Sequence, residues 1–196
     1  MRIARFSDSL GTRFGIVDGP ELAVLKGHPL LENYATTGER VAIKDVKLLA
    51  PTIPSKVICI GKNYLDHAAE MGESAPSEPL IFLKPNTSVI GPDDLILLPT
   101  ESSRVDHEGE LAVVIGRAGR HIGAGDALAH VAGYSCFNDG SVRDWQRHTT
   151  QFTPGKNFAG TGGFGPWMVT TDEVKDITKE TLTTRVNGVV KQQAGI

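Results

Sequence analysis

The sequence predicts an α+β fold rich in short strands, and three observations predict it. Glycine (22) and proline (11) are frequent while aromatic residues make up only 6% of the chain, a mix that favours strands and turns over long helices. The apolar runs are short and end at Gly or Pro, as in KVICIG and PLIFLKP. The texture changes at Lys56, which separates a small turn-rich unit, residues 1–50, from a larger one, residues 56–196.

Taken in order, RFGIVDGPELAVLKG reads as a hairpin with turn chemistry at Asp18-Gly19. LLAPTIPSK is a stiff extended linker at Pro51 and Pro54. KVICIG is a buried strand, NYLDHAAEMG a short helix ended by Gly72, ESAPSEP a loop and PLIFLKP a further strand. VDHEGELAVVIG is the clearest strand, apolar on both faces at its far end. Asp126 is placed to cap a short helix over DALAHVAG, and GYSCFNDG is a buried strand ending in a polar turn. Residues 140–160 lack a clean period and form a long loop with one helical turn. TTRVNGVVKQQ carries Asn187-Gly188 between β-rich flanks, a hairpin signal.

The composition excludes several function classes. A net charge of −3 gives no basic field for nucleic acid or an anionic membrane. Runs such as Leu111 to Ile115 are too short to cross a bilayer, and no apolar stretch follows the N-terminal arginine as a secretory signal needs. Cys59 and Cys136 lie in apolar segments and read as buried free thiols of a cytoplasmic protein.

The chemistry concentrates in acidic residues. Asp106, Glu108 and Glu110 alternate, so one unbroken strand puts all three on one face, where like charges repel unless a cation joins them. A solvated strand face carries the same alternation. The apolar continuation LAVVIG and the acid Asp139 at the end of YSCFND favour a metal site instead. Carboxylates without clustered thiols or imidazoles select a hard ion, Mg²⁺ or alternatively Mn²⁺ or Ca²⁺. His107 falls on the opposite face of that strand. His67 and Glu70, at i and i+3, read as an oriented general base or as an ordinary helix pair. GTGGFG at Gly160–Gly165 meets a strand-like WMVTT where a dinucleotide site needs a helix, so it is rejected. Lys62, Lys84 and Lys156, in GKN, FLKP and PGKN, are candidate cations for a substrate carboxylate, or are merely solvated.

Five stretches, GKNYLDHAAEMG, PLIFLKPNTSVIGPDD, VDHEGELAVVIG, GYSCFNDGSVRDWQ and GKNFAGTGGFGPWMVT, together resemble the fumarylacetoacetate hydrolase family over most of residues 56–170. Residues 1–50 look like the small N-terminal β domain of many bacterial members. The resemblance implies a rolled mixed β-sheet core with the site at one end. It makes Glu108, Glu110 and Asp139 the metal ligands and His67 with Glu70 a catalytic dyad on a lid helix. It makes Lys62, Lys84, Gln146 and Lys156 substrate-binding, Asp106 a support behind the ligands, and the pair Arg143 and Asp144 structural. It further implies a homodimer, and that the chain lacks the family's C-terminal portion, including a Gly-Thr-Pro loop. The expected activity is Mg²⁺-dependent hydrolysis of a carbon–carbon bond in an acylpyruvate-like 2,4-dioxo acid, through a metal-stabilised enolate. Oxaloacetate decarboxylation and isomerisation of a 2-hydroxyhepta-2,4-diene-1,7-dioate share that enolate. A non-catalytic module that binds an oxo acid or metal is the rival from another class.

Overall fold

The computed structural model describes residues 1–64 and 76–196, so His67, Glu70 and the helix expected around them lie outside the described residues. Strands β1 (Arg2–Asp8), β2 (Gly11–Asp18), β3 (Glu21–Lys26) and β4 (Ala35–Ala42) form an antiparallel meander, with the expected hairpin turn between Asp18 and Glu21. β5 (Lys47–Leu49) pairs with β1 from Arg5 to Ser7. Beyond the linker, β6 (Val57–Gly61) and β7 (Leu80–Lys84) form a two-stranded sheet.

The N-terminal meander is not a separate sheet. β10 (Gly109–Ile115), β11 (Val131–Asp139) and β13 (Gly162–Thr170) extend it in the order β10-β11-β13-β1-β2-β3-β4. The junction is the pairing of Arg2 with Val169 and Ile3 with Met168. β8 (Val89–Ile90) joins β13 in the parallel sense, which makes the sheet mixed. Alternation along β1 feeds two cores. Ile3 packs with Phe137, Phe164 and Met168, whereas Ala4 and Phe6 pack with Leu22 and Val24. The hairpin β14 (Thr181–Val186) and β15 (Val189–Gly195) turns through Asn187 (φ 51°) and Gly188 (φ 79°), the left-handed pair a tight two-residue loop demands.

Several expectations are corrected. The acidic strand is broken: β9 (Val105–Asp106) pairs with β12 (Ser141–Val142), while β10 begins only at Gly109 and pairs with β11. The break follows from the partner strand, which ends at Asp139 and leaves the sheet at Gly140, so Glu108 stands where the chain changes partner. The far end of β10 is buried on one face only, with Val113 48% and Ile115 63% exposed. β6 is likewise half-buried, with Ile58 and Ile60 exposed, and Cys136 is exposed rather than buried. DALAHVAG yields a 3-10 helix, Ala124–His130, without a side-chain cap from Asp126. The 140–160 segment holds two helical turns, α1 (Arg143–Gln146) and α2 (Thr153–Lys156).

Phe6 is fully enclosed at the centre of the meander's core, so Phe6→Ala is expected to lower the unfolding free energy by about 3–5 kcal/mol. The solvated Leu10→Ala is the control for urea unfolding, expected within about 0.5 kcal/mol of the parent.

Candidate active site

The sheet break assembles the site. Because β11 stops at Asp139 and β10 starts after Glu108, two carboxylates face each other across the gap, with Asp139 N–H bonded to Glu108 O at 2.8 Å. Asn138 Oδ1 accepts the Glu108 N–H at 3.1 Å and so replaces the missing ladder bond. Glu110, two residues further along β10, lines the same open cleft as Glu108 and Asp139.

Cations hold these acids in place. Lys156 Nζ lies 2.6 Å from Glu108 Oε2 and 2.7 Å from Asp139 Oδ2. Lys84 Nζ lies 2.9 Å from Asp139 Oδ1, yet its aligned hydrogen bonds go to Lys156 O (2.7 Å) and Gly140 O (3.3 Å). Asp139 Oδ1 is therefore ion-paired but buried without a hydrogen-bond donor. Arg143 Nη1 reaches Glu108 Oε1 at 2.6 Å and Gln146 Oε1 at 2.9 Å, while its Nε donates to Asp106 at 2.7 Å. Asp106 lies on the separate strand β9, though it lines the same cleft and shares Arg143 with Glu108.

Burial, reinforced by the charges of Glu108 and Asp139, pushes the Glu110 carboxyl up to about 7. The Tyr64 hydroxyl hydrogen-bonds that carboxyl, and its own acidity is weakened first by burial and then by Glu110. Burial, reinforced by Asp139, pushes the nearby Cys59 thiol up to about 12, which keeps it protonated and unsuited to bind a metal as a thiolate.

The donor chemistry suits a hard divalent ion, with a buried Asp139 oxygen that accepts no hydrogen bond and a Glu110 carboxyl pushed up to about 7, although no three such side chains among the described residues are gathered closely enough here to hold one. Glu108, Glu110 and Asp139 are the residues that would hold it.

Of the remaining candidates, Lys62 (φ 53°) and Gln146 line the cleft. Lys84 and Lys156 instead lie beneath the acids, with side chains 0% and 2% exposed. Lys84 pairs with Asp139 and donates to the Lys156 carbonyl, and it does not line the cleft. Tyr64 and Arg143 are contacts of the site that sequence reasoning missed or read as structural. The arginine could have been found from its i, i+3 spacing to Gln146 on one helical turn.

Residues 56–196 match the family described as Fumarylacetoacetate (FAA) hydrolase C-terminal, and residues 1–51 match Rv2993c-like, N-terminal. Protein Rv2993c of Mycobacterium tuberculosis is 44% identical over 200 residues, which cover 99% of this chain and 76% of that protein. The human mitochondrial oxaloacetate tautomerase FAHD2A is 48% identical over 151 residues, 76% of this chain, and the chain spans only 48% of its length. The crystal structure of 5-carboxymethyl-2-hydroxymuconate delta-isomerase from Mycobacterium smegmatis superposes with a TM-score of 0.88 at 41% identity, covering 99% of this chain and 75% of that one. Maleylpyruvate hydrolase from Sphingobium sp. SYK-6, in complex with manganese(II) and pyruvate, has a TM-score of 0.77 at 28% identity, covering 100% of this chain and 76% of that one.

Two outcomes follow from the buried charges. Lys84→Met strands a buried carboxylate and two carbonyls, so it should cost about 3–5 kcal/mol in urea unfolding. Lys47→Met, which loses only an exposed pair with Asp94, should cost less than about 1 kcal/mol. The second outcome concerns pH. Glu110 binds its proton more tightly in the fold than in the unfolded chain, so its stabilising contribution is full below about 4.5 and lost as pH rises through about 7. Unfolding in EDTA from pH 5 to 8 should therefore show falling stability, and Glu110→Gln should flatten that slope.

Proposed function

The chain belongs to the fumarylacetoacetate hydrolase family, and from that premise we propose that it is a divalent-metal-dependent enzyme that moves protons on small 2-oxo acids, as an isomerase or tautomerase. The convergence of Glu108, Glu110 and Asp139 on one cleft, with Asp139 Oδ1 buried and undonated, carries this reading. The similarity to an oxaloacetate tautomerase and to a hydroxymuconate isomerase supports the reaction class.

The proposed ion is Mg²⁺, or Mn²⁺ or Ca²⁺, and when bound it would stabilise negative charge developing on the oxo group of the substrate. Arg143 pairs with Glu108 and the Tyr64 hydroxyl hydrogen-bonds Glu110, so each carboxylate has a partner that limits its rotation. Lys62 and Gln146 are proposed to receive the substrate carboxylate. The Gln146 oxygen is taken by Arg143, which leaves its amide NH₂ to donate. His67, oriented by Glu70, is the proposed base that removes the proton beside the oxo group.

Carbon–carbon hydrolysis of an acylpyruvate is the second reading, favoured by the similarity to maleylpyruvate hydrolase with its pyruvate. In it His67 would instead take a proton from water. Homodimeric assembly is proposed from the family likeness.

An ultraviolet enol assay with oxaloacetate, a hydroxydienedioate and acylpyruvates, with and without EDTA, tests both readings. We expect turnover of at least one substrate that EDTA abolishes and Mg²⁺ restores, and a loss of about 100-fold or more in Glu108→Ala. Undiminished turnover in the metal-stripped protein sinks the metal reading. Oxalate binding without turnover on any substrate would make the chain a binding module.

A further inference from the structure

Among the described residues β10 is an edge strand of the nine-stranded sheet, so its outward N–H groups have no strand there to pair with. One of them, on Gly109, lies between Glu108 and Glu110. It donates to Gln192 Oε1 at 2.8 Å. Gln192 belongs to the β14–β15 hairpin, which forms a sheet of its own and adds no ladder to β10. The hairpin therefore reaches the acidic strand through side chains.

The fit at this contact is close. A Cβ on Gly109 would collide with Thr184 Oγ1 and stand 3.5 Å from Gln192 Oε1. Thr184 and Gln192 are cross-strand partners, and the register of the hairpin shifts directly after Thr184. Such a bulge re-aims the side chains beside it. Here it turns a threonine and a glutamine together onto the one residue of the acidic segment that has no side chain.

We propose that Gln192 is a positioning residue of the metal site: its amide oxygen fixes the peptide between Glu108 and Glu110 and thereby the relative aim of their carboxylates. The inference rests on the reading of those glutamates as metal ligands. Asn138 Oδ1 takes the preceding N–H, that of Glu108, at 3.1 Å. Two amide side chains thus hold successive peptides, Asn138 from β11 and Gln192 from the hairpin. Glycine is the residue whose backbone turns most freely. Without the Gln192 bond, rotation at Gly109 swings the two glutamates relative to each other, and the bare N–H is left without its partner.

The test compares Gln192→Met, which keeps an unbranched side chain and removes the acceptor, with Gln192→Glu, which keeps an oxygen acceptor. Mn²⁺ affinity is measured by electron paramagnetic resonance, and the exchange rate of the Gly109 amide in the metal-free protein by NMR. Gln192→Met is expected to weaken Mn²⁺ binding by about 10–100-fold and to speed Gly109 exchange. Gln192→Glu is expected to restore both towards the parent values. A pure packing role gives the reverse order, with the methionine variant near the parent and the glutamate variant impaired, and that result overturns the proposal. So does a slow Gly109 amide in Gln192→Met. If the parent binds no Mn²⁺, the metal reading itself fails, while the exchange rates still decide whether Gln192 holds this peptide. Gln192→Ala gives the same comparison should the methionine variant not unfold cooperatively.

Discussion

Asp139 imposes the constraint on which the rest of the structure depends. An ionised carboxylate taken out of water costs several kcal/mol unless positive charge and donors replace its hydration. The replacements come from two places, Lys84 at the end of β7 and Lys156 at the end of α2. Each lysine is enclosed in turn, Lys84 by the carbonyls of Gly140 and Lys156, and Lys156 by the Phe82 ring 5.1 Å away. Three segments distant in sequence must therefore meet at one depth, and the end of β11 marks it. The strap from Ser141 to Lys156 folds back as two helical turns so that Lys156 can arrive there.

The element types were legible where local chemistry decides them. The hairpins at Asp18-Gly19 and Asn187-Gly188, and the strands PLIFLKP and GYSCFNDG, follow from turn residues and apolar runs. Burial was less legible, because it depends on what lies opposite. VICIG and LAVVIG are apolar throughout, yet one side of each remains exposed among the described residues. The unbroken acidic strand was the clearest error of geometry. Period-2 alternation is blind to a change of partner, and the cause of the break is Gly140, some thirty positions away from Glu108.

The candidate site was legible as a set of acids lining one cleft, and less so in what holds them. Glu108, Glu110 and Asp139 were visible because carboxylates near apolar strands are conspicuous. Tyr64, Arg143 and Gln192 act through distant partners, and no spacing rule links residue 64 to 110 or 192 to 109. Lysine was ambiguous in a different way. Lys84 and Lys62 sit in similar turn-edge contexts, but one is enclosed and the other faces the cleft. Only the fold separates a lysine enclosed against a carboxylate from one that lines the open cleft.

The junction of β1 with β13 has a consequence in time. The meander's own contacts are local and can form as soon as about fifty residues exist, whereas the pairing of Ile3 with Met168 waits for nearly the whole chain. During that interval β1 presents a bare backbone edge beside the apolar side chains of its strand. β5 pairs along Arg5 to Ser7 and shields half of that edge early. In the folded sheet the strand Lys47–Leu49 covers that edge of β1 from Arg5 to Ser7 and leaves Arg2 and Ile3 to β13.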